Sequence, residues 1–115
     1  MIEQWVRVRK WILPALVDAT EAEVIADLMA GRATLWPGER CAFVTQLLNT
    51  DQGRLMHIWL AGGDGREMMA MVPGMAAWGR MQGAQFATVN GRKGWKRRLN
   101  QFGFVPRDGE LWKAL

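Results

Sequence analysis

The last thirty residues, Phe86 to Leu115, constrain the fold more tightly than any other part of the chain. Phe86, Ala87, Thr88 and Val89 are a β-prone run, and Asn90-Gly91 breaks it. From Arg92 to Phe102 the apolar residues Trp95, Leu99 and Phe102 recur at i, i+4 and i+7, which predicts a short basic helix. Gly103 stands where a helix stops in the left-handed conformation, with Phe104 and Pro106 after it. Asp108-Gly109 signals a tight turn before a last strand, Leu111 to Leu115. The segment therefore reads as strand, loop, helix, glycine stop and hairpin.

Upstream, Ile2 to Leu13 predicts an amphipathic helix, with Ile2, Trp5, Val6, Val8 and Ile12 on a broad face and Pro14 at its end. Thr20-Glu-Ala-Glu23 is a capping box, so a second helix starts at Thr20. Val24, Ile25, Leu28 and Met29 form its stripe, and Gly31 is its stop. Three strands follow, Arg32 to Trp36, Cys41 to Leu48 and Leu55 to Ala61, with turns at Pro37-Gly38 and Asn49 to Gly53. Strict alternation puts Met56, Ile58 and Leu60 on one face of the third strand and Leu55, His57 and Trp59 on the other. Asp64 with Glu67 caps the next helix, which Pro73 is expected to break near Val72 before it resumes and ends at Gly83. The chain of 115 residues reads as one domain, a helix over 1–16 and a core over 20–115.

Composition removes several chemistries. The chain has no serine and no tyrosine, and His57 is its one histidine, so a Ser-His-Asp triad and a histidine zinc site are excluded. Cys41, the one cysteine, excludes an internal disulfide and reads as a small buried residue, and no metal is expected. No apolar run approaches the roughly 20 residues of a membrane span. Arg7, Arg9 and Lys10 interrupt the first apolar segment, unlike a signal peptide, so a reducing cytoplasmic interior is expected. Five of the fifteen cations fall between Arg92 and Arg98, in a chain of net charge +4.

The order helix, helix, three antiparallel strands, glycine turn, helix, strand, helix, strand resembles the GNAT superfamily of N-acyltransferases. The implied fold is α+β (α/β): a mostly antiparallel central sheet flanked by helices, with an extra N-terminal helix. In detail the chain resembles small GNAT-like proteins of tailed bacteriophages and prophages. The shared texture is Gly31 to Gly38, Trp59 to Asp64, Ala77 to Gly83 and Gly91 to Trp95. The resemblance implies acetyl-coenzyme A or coenzyme A at the end of the central strand. Gly62, Gly63, Asp64, Gly65 and Arg66 would hold the pyrophosphate at a helix N-terminus, and Arg92 or Lys93 the phosphoadenosine. His57 or a water would relay the proton of an acceptor amine. Gly63-x-Gly65 matches the second half of the superfamily loop, Q/R-x-x-G-x-G/A, but Leu60 stands where Gln or Arg belongs. The tyrosine that many relatives carry on the last helix is missing.

Three functions are consistent with this sequence. The first is a phage-type GNAT-like protein without catalysis, working as a virion-associated or interaction component in the host cytoplasm or the virion. Trp5 and Trp11 on the first helix, and Trp78 near Met81, would then face other phage or virion proteins. The second is an acetyl-coenzyme A-dependent N-acetyltransferase acting on an amine. The third is non-specific nucleic-acid binding through Arg92, Lys93, Lys96, Arg97 and Arg98, with Trp95 available to stack.

Overall fold

Capping chemistry sets the helix limits. In the computed structural model, which describes residues 2–90 and 93–115 (Lys93 by its backbone alone), helix α1 covers Ile2–Ile12 and runs into a 3₁₀ turn at Leu13–Ala15 around Pro14. Helix α2, Glu21–Met29, begins where the Thr20 hydroxyl accepts from the Glu23 N–H. Past its end, Gly31 takes a φ of 77° that other residues resist. Strands β1 (Ala33–Pro37), β2 (Cys41–Thr50) and β3 (Gly53–Gly63) form a meander. Helix α3, Gly65–Met81, is capped by the Asp64 carboxylate on the Glu67 N–H. Strand β4 (Phe86–Asn90), helix α4 (Lys93–Leu99), a 3₁₀ turn at Asn100–Phe102, and strands β5 (Val105–Arg107) and β6 (Glu110–Ala114) complete the chain. Gly103 is left-handed at φ 90°, and Asp108 and Gly109 both have positive φ, the tight two-residue hairpin turn.

The result is a mixed α/β fold with one six-stranded sheet in the order β1-β2-β3-β4-β6-β5. Every pairing is antiparallel except β3 with β4, the pair that the α3 crossover connects. Two irregularities in β3 shape everything that follows. Val44 pairs with Leu60 and Thr45 with Ile58, so Trp59 is an extra residue, a β-bulge. The β3–β4 ladder runs only from Leu55↔Phe86 to Ile58↔Val89. From the bulge onward, β3 continues to Gly63 with β2 as its only strand partner among the described residues, and the sheet opens.

The bulge also corrects the expected faces of β3. Met56 and Ile58 pack with α3, α4, Phe43 and Leu111 in one core. Leu60 turns to the opposite core, with Trp5, Val8 and Ile12 of α1 and Val24 and Leu28 of α2. An inserted residue reverses the alternation, because side chains on a strand repeat every two positions. Helix α1 is therefore one wall of a core and not an appendage. Its buried residues are Trp5, Val8 and Ile12, while Ile2 and Val6 face outward. In α2, Met29 is likewise exposed. Helix α3 also departs from expectation by running unbroken through Pro73. Pro73 is exposed, so water can satisfy the carbonyl that a proline deprives of its donor.

A polar clamp joins α1 to α2. The Trp5 indole N–H donates to Glu21 Oε2 at 2.9 Å, and Arg9 Nε donates to the same oxygen at 2.7 Å. The Arg9 bonds, then the Trp5 bond, hold the Glu21 carboxyl down to about 2. A depressed carboxylate stabilises the fold above its ordinary range and loses that contribution as it is protonated. Glu21→Gln is therefore expected to unfold at lower urea than the parent at pH 7. The difference should shrink between pH 4.5 and pH 2, and paired urea titrations across that window check it.

Candidate functional site

Where β3 and β4 part, there is an opening on each side of the sheet. On the α1–α2 side it is a cavity of about 380 Å³ whose walls include Asp18, Glu23, His57, Trp59, Trp95 and Glu110. On the α3–α4 side it is a hollow of about 350 Å³ bounded by Gly62, Gly63, Met68, Gly94, Trp95 and Arg98. Ala61 and Trp95 border both. Beyond Ile58 the β3 backbone edge that faced β4 has no strand partner among the described residues, so its N–H and C=O groups can bond a ligand laid in the opening. The charges divide between the two: three carboxylates, Asp18, Glu23 and Glu110, border the first chamber, and the Arg98 guanidinium borders the second.

His57 lies at the narrow end of the opening, in register with Thr88 of β4. Its Nδ1 is 2.8 Å from Thr88 Oγ1 and 3.8 Å from Glu110 Oε2. Asn90 and Glu110 pair across β4 and β6, which brings the carboxylate to the ring. Burial pushes the His57 pKa down, against an upward pull from Glu110. The imidazole is thus neutral at pH 7, with a carboxylate placed to stabilise its protonated form.

The glycine turn is explained first by packing. A Cβ on Gly62 would run into the Trp11 carbonyl oxygen, and one on Gly63, where φ is 115°, into the Arg40 carbonyl. A side chain on Gly65 would collide with the Arg98 guanidinium. Gly62 therefore admits the end of α1, Gly63 admits the β1–β2 turn, and Gly65 lets Arg98 lie against the first turn of α3. The Glu67 N–H is taken by Asp64 Oδ2 and the Met68 N–H by the Asp64 carbonyl, leaving the Gly65 and Arg66 N–H groups at that terminus. Gly62→Ala is expected to lower stability by about 1–3 kcal/mol through displacement of α1, read as a shift in the urea midpoint. Gly63→Val would strain the fold itself, so it does not report on ligand binding alone.

The other expected site residues are scattered. Arg66 is exposed on α3. Arg92 and the Lys93 side chain lie outside the described residues. Arg98, grouped from sequence with the possible nucleic-acid contacts, lies beside the α3 N-terminus. Trp5, expected at a partner surface, is 1% exposed and unavailable to a partner. Trp11 is half-buried under Lys10, and Trp78 is half-buried edge-on against Trp36 at 5.3 Å. Trp95 packs against Phe43 at 6.3 Å. Cys41 is buried, which pushes its thiol up to about 12 with a further push from Glu67, so it is no nucleophile. Thr88, Glu110 and the carboxylates of Asp18 and Glu23 escaped the sequence reading, because only the strand register and the α1–α2 connection bring them to His57. Among the described residues no group of three or more His, Cys, Asp or Glu side chains could hold a metal ion. Among the described residues no helix is long and apolar enough to cross a membrane.

No protein-family model, curated protein or solved structure matches this chain.

Proposed function

We propose that this chain is a GNAT-like protein that binds an acyl-coenzyme A in the cleft between β3 and β4 and transfers the acyl group to a cationic amine. The observation that carries the reading is the division of charge between two adjoining hollows that share Ala61 and Trp95 as walls. An anionic donor fits the end that holds Arg98 and the α3 N-terminus, and an ammonium group fits the end with Asp18, Glu23 and Glu110. The two hollows adjoin at Ala61 and Trp95, and His57 lines the carboxylate side, one residue before the β3–β4 ladder ends at Ile58.

The residues present fit such a donor in its outline. The Gly65 and Arg66 N–H groups and the Arg98 guanidinium supply donors for a pyrophosphate. The free edge of β3 supplies backbone groups for an extended amide chain. When bound, acyl-coenzyme A supplies a thioester carbon at which the C–N bond forms as the C–S bond breaks, the sulfur leaving as a thiolate. His57 accepts the proton that the ammonium must lose before its nitrogen has a lone pair. Glu110 stabilises the resulting imidazolium, and Thr88 fixes the ring. No tyrosine is needed, because a thiol of ordinary pKa about 8.5 leaves readily as its anion, and that thiolate takes up the second proton, which the nitrogen sheds after attack.

A panel of primary amines incubated with the protein and acetyl-coenzyme A, read by thiol release, tests the reading. Turnover with cationic amines and none with neutral alcohols is expected. Absence of turnover with every amine would leave the second reading, a virion-associated or interaction component of phage type on the same fold. The exposed pair Ile2 and Val6, four residues apart on α1, favours that reading as a docking stripe.

A further inference from the structure

The basic helix α4 has two sides with different surroundings. Gly94, Trp95 and Arg98 border the cleft. Lys96, Arg97 and Asn100 point the other way and border a separate open groove of about 450 Å³, whose remaining walls are Phe104 and Pro106. The helical period requires this separation, since residues 96, 97 and 100 lie on the opposite half of the wheel from 94, 95 and 98. The amine-transfer chemistry has no use for this second side.

The groove is cationic and its cations are not spent on the protein. Lys96 and Arg97 are exposed, and among the described residues neither has a carboxylate within ion-pair distance. Lys113 is a further cation on the neighbouring strand β6, its Nζ 3.4 Å from where a Cβ on Gly103 would stand, outside the groove's own walls. The Asn100 amide adds a neutral donor and acceptor at the groove wall. Phe104 is 2% exposed and Pro106 has no aromatic face, so nothing in the groove stacks on a base. Trp95 faces the cleft and Phe43.

We propose that this groove binds a nucleic-acid backbone through its phosphates, without reading sequence. Closely spaced unpaired cations with a neighbouring amide suit successive phosphodiesters, and the lack of a stacking surface removes any dependence on base identity. The site is distinct from the acyl-donor cleft, although both use α4.

Fluorescence anisotropy of labelled duplex DNA tests this, with protein titrated to about 100 μM, the range in which non-specific binding is measured. Binding in 50 mM salt is expected to weaken about 12-fold at 200 mM, the drop for two neutralised phosphates at a slope of roughly −0.9 per phosphate. Duplexes of unrelated sequence should bind alike. The double variant Lys96→Glu, Arg97→Glu is expected to bind at least about tenfold more weakly while keeping the parent melting temperature, since both side chains are exposed. Arg98→Glu should leave DNA affinity within about threefold, whatever it does to the acyl donor. No binding at 50 mM salt, or unchanged binding by the double variant, overturns the proposal. So does binding to anionic phosphatidylserine vesicles without binding to DNA, which would make the groove a membrane contact.

Discussion

His57→Gln is expected to lower kcat/KM for amine acetylation by about 10²–10⁴-fold, the usual worth of a positioned general base. Glutamine keeps much of the volume and a polar contact for Thr88 but cannot take up a proton near neutral pH. The same variant separates catalysis from binding: the affinity for acetyl-coenzyme A should stay within about threefold, because the ring lies in the carboxylate chamber and not beside Arg98. The pH profile gives a second check. Burial holds the His57 pKa below its ordinary 6.5. The base is therefore in its proton-accepting form above that lowered value, and kcat/KM should fall on the acid side of 6.5. Glu110→Gln removes the carboxylate that pulls the pKa upward, so the acid limb should move to still lower pH. A parent enzyme with no acid limb, or a His57→Gln enzyme as fast as the parent, removes His57 from the chemistry.

Trp5→Ala is expected to destabilise the fold by about 3–5 kcal/mol, the range for truncating a large buried aromatic side chain. Trp5 is the largest fully buried side chain of the core built from α1 and α2. Its loss opens a cavity and removes a donor to Glu21. Against a typical total stability of about 5–15 kcal/mol, that leaves a marginal protein. Urea unfolding at pH 7 measures the change. The contrast with Val6→Ala is informative: Val6 is 64% exposed, and its truncation should cost less than about 0.5 kcal/mol. If α1 were a detachable docking helix, the two variants would behave alike, and they are expected to differ several-fold.

The residues that ended and began elements were the most legible part of the chain. Thr20, Gly31, Gly83 and Gly103 act at the positions their chemistry dictates, because a cap or a positive φ is decided within a few residues. Asp108-Gly109 is likewise a local matter. The bulge at Trp59 left no such mark. Trp59 and Leu60 are both apolar, and a strand with an inserted residue has the same composition as one without it. That unreadable residue sends Leu60 to the α1–α2 core and coincides with the end of the β3–β4 ladder. Glycine content pointed to the α3 N-terminus, but the reason for Gly62 and Gly63 lies in Trp11 and Arg40, far away in sequence. Glu110 reaches His57 only through the Asn90 pairing, a contact no spacing rule could give. The tryptophan content suggested a core or an interface, and Trp5, offered as partner-facing, went into packing.

The account rests on an anionic acyl donor lying in the parted strands with its phosphates at Arg98, so the decisive measurement is calorimetric titration with acetyl-coenzyme A. Three proteins are compared: the parent, Arg98→Glu and Arg97→Glu. Both arginines are exposed and adjacent, so the variants share net charge and differ only in which side of α4 is changed. Micromolar binding by the parent is expected, weakened at least about tenfold in Arg98→Glu, since a bond to a charged group is worth roughly 1.5–3 kcal/mol. Arg97→Glu should bind as the parent does. Equal affinity in all three proteins, or no heat from the parent up to about 1 mM, would contradict the placement of an acyl donor in this cleft.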